Sequence, residues 1–153
     1  MILFFFQIKK ENFKLHYAGT QFFMSPEVIK GKTILTNDLQ KIDLFYFGIT
    51  LYVLDFGCYS FNFTKGDDDE EIYQKINSEW KAIDESNIFS RHFIDLLNGL
   101  LEKDVNKRIN IFQALNSYFV QGAKILLTPI YSSPLKFLYT LFLHFLKLVN
   151  YNI

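Results

Sequence analysis

Residues 19–31 read GTQFFMSPEVIKG and place a glutamate, Glu27, directly behind an apolar run. The run Phe-Phe-Met at residues 22–24, and Val28 beside the glutamate, are side chains that folded proteins normally bury. A carboxylate among such neighbours stays ionised only when a cationic group pairs with it. The stretch therefore predicts a basic partner for Glu27 elsewhere in the chain. The alternative is that Glu27 is a solvated acid in a loop.

The composition is that of one globular domain without an excess of either charge. The chain has 153 residues, half of them hydrophobic and 18% aromatic, with 16 basic and 16 acidic residues. This balance does not suggest nucleic acid as a partner. The single cysteine, Cys58, excludes an internal disulfide and favours a reducing, cytoplasmic location. Because the three histidines stand far apart without the spacing of zinc ligands, we expect no metal site at His16, His92 or His144.

Hydrophobic periodicity predicts a mainly α fold. A short N-terminal strand is predicted over residues 2–8, and residues 9–38 are predicted to be mostly loop because they lack sustained periodicity. A long helix is predicted from Asn37 to Phe56, closed by Gly57. This helix is apolar on all sides, which is typical of a central, buried helix. Three shorter helices are predicted over residues 67–78, 90–102 and 110–119.

The predicted helix ends carry capping residues. Asn37 with Gln40, and Asn110 with Gln113, each have the spacing of a capping pair. The acidic run at residues 67–71 suits a helix N-terminus, where the helix dipole favours negative charge. A calcium-binding loop is the alternative for this run, but its glycine and its late glutamate are missing here.

The composition changes near the C-terminus. Residues 126–153 are predicted to form a linker followed by a hydrophobic helix or tail. Within residues 135–149 one face is apolar and a narrower stripe is polar. Three interpretations stay open: a helix packed on the domain or an unstructured tail, an interfacial membrane helix, and a membrane span.

Four landmarks follow one another along the chain. Gly19-Thr20 comes first, and MSPE at residues 24–27 follows. KIDLFYFGITLYVL at residues 41–54 comes next, and LLEKDVNKRINIFQAL at residues 100–115 comes last. In this order they resemble the C-terminal lobe of eukaryotic protein kinases of the serine/threonine type, and MSPE is similar to the Ala-Pro-Glu signature of that family. The resemblance covers about residues 8–120. It implies a partial kinase-like domain over residues 1–125, made of a long activation-segment-like loop and the helices of the lobe.

The resemblance also implies roles for individual residues. Glu27 and Arg108 match a buried ion pair that ties the substrate-binding loop to the helices beneath it. Asp43 matches the aspartate that holds the backbone of the catalytic loop, and Gly48 lets neighbouring elements approach the central helix. Thr20 matches a threonine that touches the catalytic aspartate. The residues matching the loop that receives the substrate residue after the phosphoacceptor are Gly19, Thr20, Met24, Ser25 and Pro26.

The chain departs from the family where phosphate chemistry is concerned. It contains no GxGxxG loop and no His-Arg-Asp, and where Asp-Phe-Gly is expected residues 3–10 read LFFFQIKK. We therefore assign no catalytic residue and no cofactor-binding residue. Mg-ATP is expected as a cofactor only if the chain is part of a complete kinase. The N-terminal lobe and the catalytic loop are expected to be missing.

Three functional hypotheses follow. The first is a truncated or degenerate serine/threonine kinase relative without phosphotransfer, which either binds a protein partner or a peptide substrate or is a gene fragment without a role. The second is a piece of an active, ATP-dependent protein kinase whose N-terminal lobe and catalytic loop are absent from this sequence. The third is a small helical protein associated with a membrane through residues 135–149.

Overall fold

The computed structural model describes residues 12–14, 21–35, 38–78 and 88–126. This part of the chain is mainly helical, as the sequence predicted. The elements in chain order are β1 Asn12–Lys14, a 3₁₀ turn Gln21–Phe23, α1 Pro26–Ile29, β2 Thr33–Leu35, α2 Leu39–Phe56, α3 Asp69–Asn77, α4 Ile88–Leu100, α5 Ile111–Leu115 and α6 Tyr118–Leu126.

The two strands form a small antiparallel ribbon. Phe13 in β1 is paired with Ile34 in β2. Residues 9–38 were predicted to be mostly loop; they also contain β1, α1 and β2, which the sequence did not predict. Elements of three or four residues are too short for a periodic pattern to reveal them. The strand predicted over residues 2–8 lies outside the described residues.

The α2 helix is the centre of the fold, as its uniformly apolar sequence predicted. One side packs with α4 and the other packs with α1 and α3. The helix begins at Leu39, and its N-cap residue is Asp38, whose side chain makes no capping bond. Asn37, from which the helix was predicted to start, lies outside the described residues. Gly57 ends the helix with φ 67°, and its N–H donates to the Val53 carbonyl. This left-handed conformation is the one that glycine adopts at least cost.

Capping boxes begin two of the other helices. Asp68 and Glu71 form one at the start of α3, inside the acidic run. Asn110 and Gln113 form the other at the start of α5, where the sequence predicted it.

The predicted helix over residues 110–119 is in fact two helices. The α5 helix ends at Leu115, with Asn116 as its C-cap residue. The hydroxyl of Ser117 accepts from the Val120 N–H, and this bond helps to start α6. Asn and Ser favour helix ends over helix interiors, which explains the break between the two helices.

Residues 135–149 lie outside the described residues. Among the helices of the described ranges, none combines the length and the apolar character that crossing a membrane requires.

Candidate functional site

A buried ion pair joins α1 to the segment that follows α4. Nη1 of Arg108 donates to Oε1 of Glu27 at 2.7 Å, and Nη2 donates to Oε2 at 3.0 Å. The Glu27 side chain is 8% exposed and that of Arg108 is fully buried. Two parallel bonds between a guanidinium and a carboxylate fix orientation as well as distance. The two residues that the resemblance assigned to one ion pair are therefore in contact.

The backbone conformation of residues 25–27 positions the Glu27 carboxylate. Ser25 is the N-cap residue of α1, with extended dihedral angles, and Pro26 occupies the first helical position. Proline is favoured there because its missing N–H would have no helical partner anyway. Glu27 then lies in the first turn, where a negative charge is stabilised by the helix dipole.

Arg108 also binds two backbone carbonyl groups. Its Nε donates to the Glu102 carbonyl at 2.8 Å, and Nη1 donates to the Lys41 carbonyl at 3.0 Å. Its guanidinium carbon lies 4.7 Å from the centroid of the Phe45 ring, which is a cation–π contact. Through these bonds one side chain connects α1, the start of α2 and the segment after α4.

The structure describes three of the five residues assigned to the substrate loop. Met24, Ser25 and Pro26 are buried beneath the surface of the lobe. The Ser25 hydroxyl is buried and has no hydrogen-bond partner in the described part of the chain. Gly19 and Thr20 lie outside the described residues. Within the described residues 21–26, solvent therefore reaches residues 21–23, whereas Met24, Ser25 and Pro26 are buried.

Four half-buried aromatic side chains form a surface beside this segment, which we call the aromatic patch: Phe22, Phe23, Tyr59 and Phe63. The rings of Phe22 and Phe63 are stacked at 5.0 Å, and Tyr59 meets both in edge-on contacts at 5.3 and 5.9 Å. The sequence analysis missed Tyr59 and Phe63. The run YSFNF at residues 59–63 was a usable signal, because its aromatic residues alternate just beyond a helix end.

Gln21 connects the aromatic patch to α3. Its amide Nε2 donates to Oδ1 of Asp69 at 2.7 Å. The 3₁₀ turn, α1 and α3 consequently form one packed surface over α2.

Asp43 faces a different environment. It is half-buried on α2, and burial raises the pKa of its carboxyl to about 7. Within the described ranges no residue donates a hydrogen bond to it. Burial also raises the pKa of Tyr46, with further contributions from the nearby carboxylates of Asp43 and Glu27. Whether Asp43 holds a catalytic loop is a prediction that these contacts do not test.

Gly48 is a position of close contact between α2 and the C-terminal end of α4. A Cβ atom on Gly48 would lie 2.9 Å from Cβ of Leu100 and 2.9 Å from Cδ2 of Leu101. Such distances are shorter than carbon atoms tolerate, so the contact requires a residue without a side chain.

The letters Asp-Phe-Gly do occur in the chain, at residues 55–57, a match that the sequence analysis missed. They follow the Ser-Pro-Glu triplet, whereas the kinase motif precedes it. Phe56 packs against Tyr52 at 4.6 Å and Phe93 at 6.2 Å, and Gly57 terminates α2. Helix termination therefore accounts for this tripeptide. Within the described ranges, no group of three or more His, Cys, Asp or Glu residues has the arrangement of a metal site.

Comparison with known proteins places this geometry in a family. The family model described as protein kinase domain matches residues 5–120. Serine/threonine-protein kinase dkf-2 of Caenorhabditis briggsae is 27% identical over 126 residues, which cover 77% of this chain and 9% of that protein. Serine/threonine-protein kinase D3 of Homo sapiens is 26% identical over 122 residues, 74% of this chain and 12% of that protein. Flippase kinase 1 of Saccharomyces cerevisiae is 31% identical over 93 residues, which cover 61% of this chain and 10% of that protein.

The chain thus spans about a tenth of the length of these relatives, and its matched region contains both halves of the buried ion pair. By the extent of the match and by its helical architecture, the chain belongs to the protein kinase domain family.

Proposed function

We propose that this chain is a protein-binding unit derived from a kinase domain, which holds a partner or peptide substrate without transferring phosphate itself. The observation that carries the proposal is the bidentate contact between Glu27 and Arg108. It fixes residues 21–29 against the helical lobe, so the surface next to them is organised before any partner arrives.

Such organisation favours binding. A surface that is already ordered loses less conformational entropy when a partner docks. The aromatic patch supplies rigid side chains with both apolar area and, at Tyr59, a hydroxyl group. Aromatic residues of this kind contribute a large share of the free energy at protein interfaces.

The sequence lacks the motifs on which phosphotransfer depends. Phosphoryl transfer depends on a phosphate-covering loop, a lysine, metal-binding side chains and a catalytic aspartate. The chain has no GxGxxG loop and no His-Arg-Asp, and its Asp-Phe-Gly letters end a helix. We therefore propose that neither Mg-ATP nor a metal ion is a cofactor of this chain on its own.

The chemistry is tested by calorimetric titration of the full chain with Mg-ATP, followed by a radiolabelled-phosphate assay on a generic protein substrate. We expect neither saturable binding nor labelled product. Saturable binding that survives Asp43→Asn would reveal a nucleotide site elsewhere. Labelled product above a control without the chain would overturn the proposal.

Protein binding is tested separately with a random peptide library displayed on phage. The dissociation constants of selected peptides are then measured for the unmodified chain and two variants. We expect Phe22→Ala to weaken binding about tenfold or more, because it removes a ring from the aromatic patch. Phe112→Ala is the matched control, since Phe112 is exposed on α5 and belongs to another surface. Selected peptides that bind all three proteins equally would exclude the patch as the interface.

A second candidate function is that of a piece of an active, ATP-dependent serine/threonine kinase. The small share of each relative that the chain covers favours it. Sequencing of transcripts upstream of the Met1 codon tests it. An in-frame extension that encodes His-Arg-Asp and a preceding Asp-Phe-Gly would support this candidate, and a stop codon directly upstream would contradict it.

We further propose a cytoplasmic location, because the chain has one cysteine and its composition suits a reducing compartment. The alternative is attachment to a membrane through residues 135–149. We propose no nucleic-acid partner, since basic and acidic residues are balanced. Imaging of a tagged full chain distinguishes diffuse from membrane-bound protein.

A further inference from the structure

Thr64 is an exposed hydroxyl residue in the irregular segment between α2 and α3. Five consecutive acidic residues, 67–71, begin three positions after it. The residues between them, Lys65 and Gly66, are exposed as well. An accessible hydroxyl that precedes a dense acidic run has the charge pattern that an enzyme with a basic substrate groove would bind.

From this arrangement we propose that Thr64 is a phosphorylation site for an acidophilic protein kinase. The inference does not depend on the proposed function, since Thr64 belongs neither to the aromatic patch nor to the ion pair. Three of the acids, Asp68, Glu70 and Glu71, are exposed, and Glu70 also pairs with Nζ of Lys30 at 2.5 Å.

Thr64 is also part of a hydrogen-bonded group that phosphate would disrupt. The Thr64 N–H donates to Oδ2 of Asp67 at 2.8 Å, and the Thr64 hydroxyl donates to Oδ1. Nζ of Lys75 lies 2.6 and 2.7 Å from the same two carboxylate oxygens and 3.2 Å from the Thr64 hydroxyl. We call these three residues the Thr64–Asp67–Lys75 clamp. The Asp67 side chain inside it is 4% exposed.

The charge on Asp67 is stabilised by the clamp itself. Hydrogen bonds from Lys75 first and from Thr64 second lower the pKa of the Asp67 carboxyl to about 2. Asp67 therefore carries its negative charge at any pH at which an acidophilic kinase works. A second negative group at Thr64 would lie against it.

The reaction needs ATP as the phosphoryl donor. A bond forms between Oγ1 of Thr64 and the γ-phosphorus, and the bond from that phosphorus to the bridging oxygen of ADP breaks. The hydroxyl proton leaves to the enzyme's base, and ADP departs. Oγ1 then has no proton to donate to Asp67, and the phosphate carries about −1.5 to −2 charges at neutral pH. Repulsion from Asp67 and attraction of Lys75 to the phosphate together open the clamp.

The clamp must also open before the kinase acts. Kinases bind an acceptor in extended conformation, whereas here Asp67 N–H donates to the Thr64 carbonyl at 3.1 Å in a tight turn. Lys75→Met loosens the clamp and leaves every acidic residue in place. We therefore expect this variant to be phosphorylated faster than the unmodified chain, and phosphorylation that is slower would contradict the clamp's role.

The test treats the full chain with ATP and an acidophilic protein kinase, and maps phosphate by mass spectrometry. We expect phosphate on Thr64 of the unmodified chain. The Thr64→Ser variant should still be phosphorylated at this position, and the Thr64→Val variant should not. A basophilic kinase is the control enzyme and should not modify Thr64. Phosphate found only at other positions would overturn the proposal.

Recognition of the acids is tested with a triple variant that keeps the start of α3 intact. Asp68→Asn retains a good N-cap residue, Glu71→Gln retains the capping box, and Glu70→Gln retains an oxygen for the Gln74 amide. We expect the initial rate at Thr64 to fall about tenfold, because three attractive charges are lost. An unchanged rate would overturn the proposal that the acids select the enzyme.

Opening of the clamp is measured by hydrogen exchange at the Thr64 and Asp67 amides. Both amides are hydrogen-bonded in the clamp, so phosphorylation should increase their exchange rates, while the amides of α2 stay protected. Unchanged exchange at both amides in the phosphorylated chain would contradict the proposed switch.

Discussion

The Lys41 carbonyl accepts a 3.0 Å hydrogen bond from Nη1 of Arg108, the same nitrogen that binds Glu27. The Lys41 side chain makes a second connection: its Nζ donates to the carbonyl oxygens of Val105 and Asn106 at 2.8 and 3.3 Å. The start of α2 and the segment after α4 are thus bonded in both directions. The ion pair is therefore one part of a larger set of bonds, and a substitution of Arg108 removes those that its guanidinium makes.

We expect Arg108→Ala to lower the free energy of unfolding by about 3–5 kcal/mol, since it leaves the Glu27 carboxylate buried and unpaired. Urea denaturation followed by circular dichroism measures the change. Lys107→Ala is the matched control. The Lys107 side chain is 75% exposed, and its Nζ lies 3.8 Å from Oδ2 of Asp104 in a surface ion pair. Such pairs contribute little, so the free energy of unfolding should change by no more than about 0.5 kcal/mol.

A double-mutant cycle checks that Glu27 and Arg108 act together. The variant with both Glu27→Ala and Arg108→Ala should lose less stability than the sum of the two single variants, because the unpaired charge is then absent. Simple additivity of the two effects in the same urea experiments would show that the Glu27 and Arg108 side chains are not energetically coupled.

We expect Gly48→Ala to destabilise the fold by about 1–3 kcal/mol, because the added carbon overlaps Leu100 and Leu101. Gly122→Ala is the control within another helix, where no atom lies within 4 Å of the new Cβ. There the substitution should stabilise by about 0.5–1 kcal/mol through helix propensity alone. Thermal melts compare the two variants, and equal shifts in Tm would argue against close packing of α2 on α4.

The sequence predicted those features that depend on long patterns or on local chemistry. The α2 helix was visible because its apolar character extends over five turns and ends at Gly57. The Asn110–Gln113 capping box was visible because its spacing is fixed by the helix start.

Features that arise from tertiary contacts were not visible. The β1–β2 ribbon depends on the pairing of two three-residue segments, which no periodicity marks. The aromatic patch brings Phe22 next to Phe63, and only the packing of the 3₁₀ turn on the segment after α2 makes them neighbours. The burial of Ser25 likewise follows from the docking of α1, whereas a Ser-Pro sequence alone suggests an exposed turn.

We expect Asp43 to make stability depend on pH. Burial raises the pKa of its carboxyl from 3.8 to about 7 in the folded protein. Between these values the folded state binds a proton that the unfolded state releases, so Asp43 lowers stability as pH rises from 4 to 7. The slope is at most about 1.4 kcal/mol per pH unit.

Asp43→Asn should remove this dependence, because asparagine resembles the neutral carboxyl. Urea denaturation at pH 4, 5.5 and 7 measures the effect as the difference in free energy of unfolding between the variant and the unmodified chain. The variant should gain relative stability towards pH 7. A difference that stays constant across this range would mean that Asp43 titrates normally in the folded protein.

We expect the C-terminal segment to determine any affinity for membranes. If residues 135–149 form an interfacial helix, their removal should abolish binding to vesicles that contain anionic lipid and should improve solubility. Vesicle co-sedimentation of the full chain and the shortened chain measures this. Failure of the full chain to bind vesicles of any lipid composition would exclude the membrane interpretation.

Glu27 and Arg108 are separated by 81 positions along the chain. A contact of such long range can form only after the intervening segment has closed, and this closure carries a large entropic cost. We therefore expect the pair to be absent from the folding transition state. Interactions that form after the transition state act on the unfolding rate rather than on the folding rate. The pair would accordingly lengthen the lifetime of the folded molecule while leaving almost unchanged the time that the chain takes to fold.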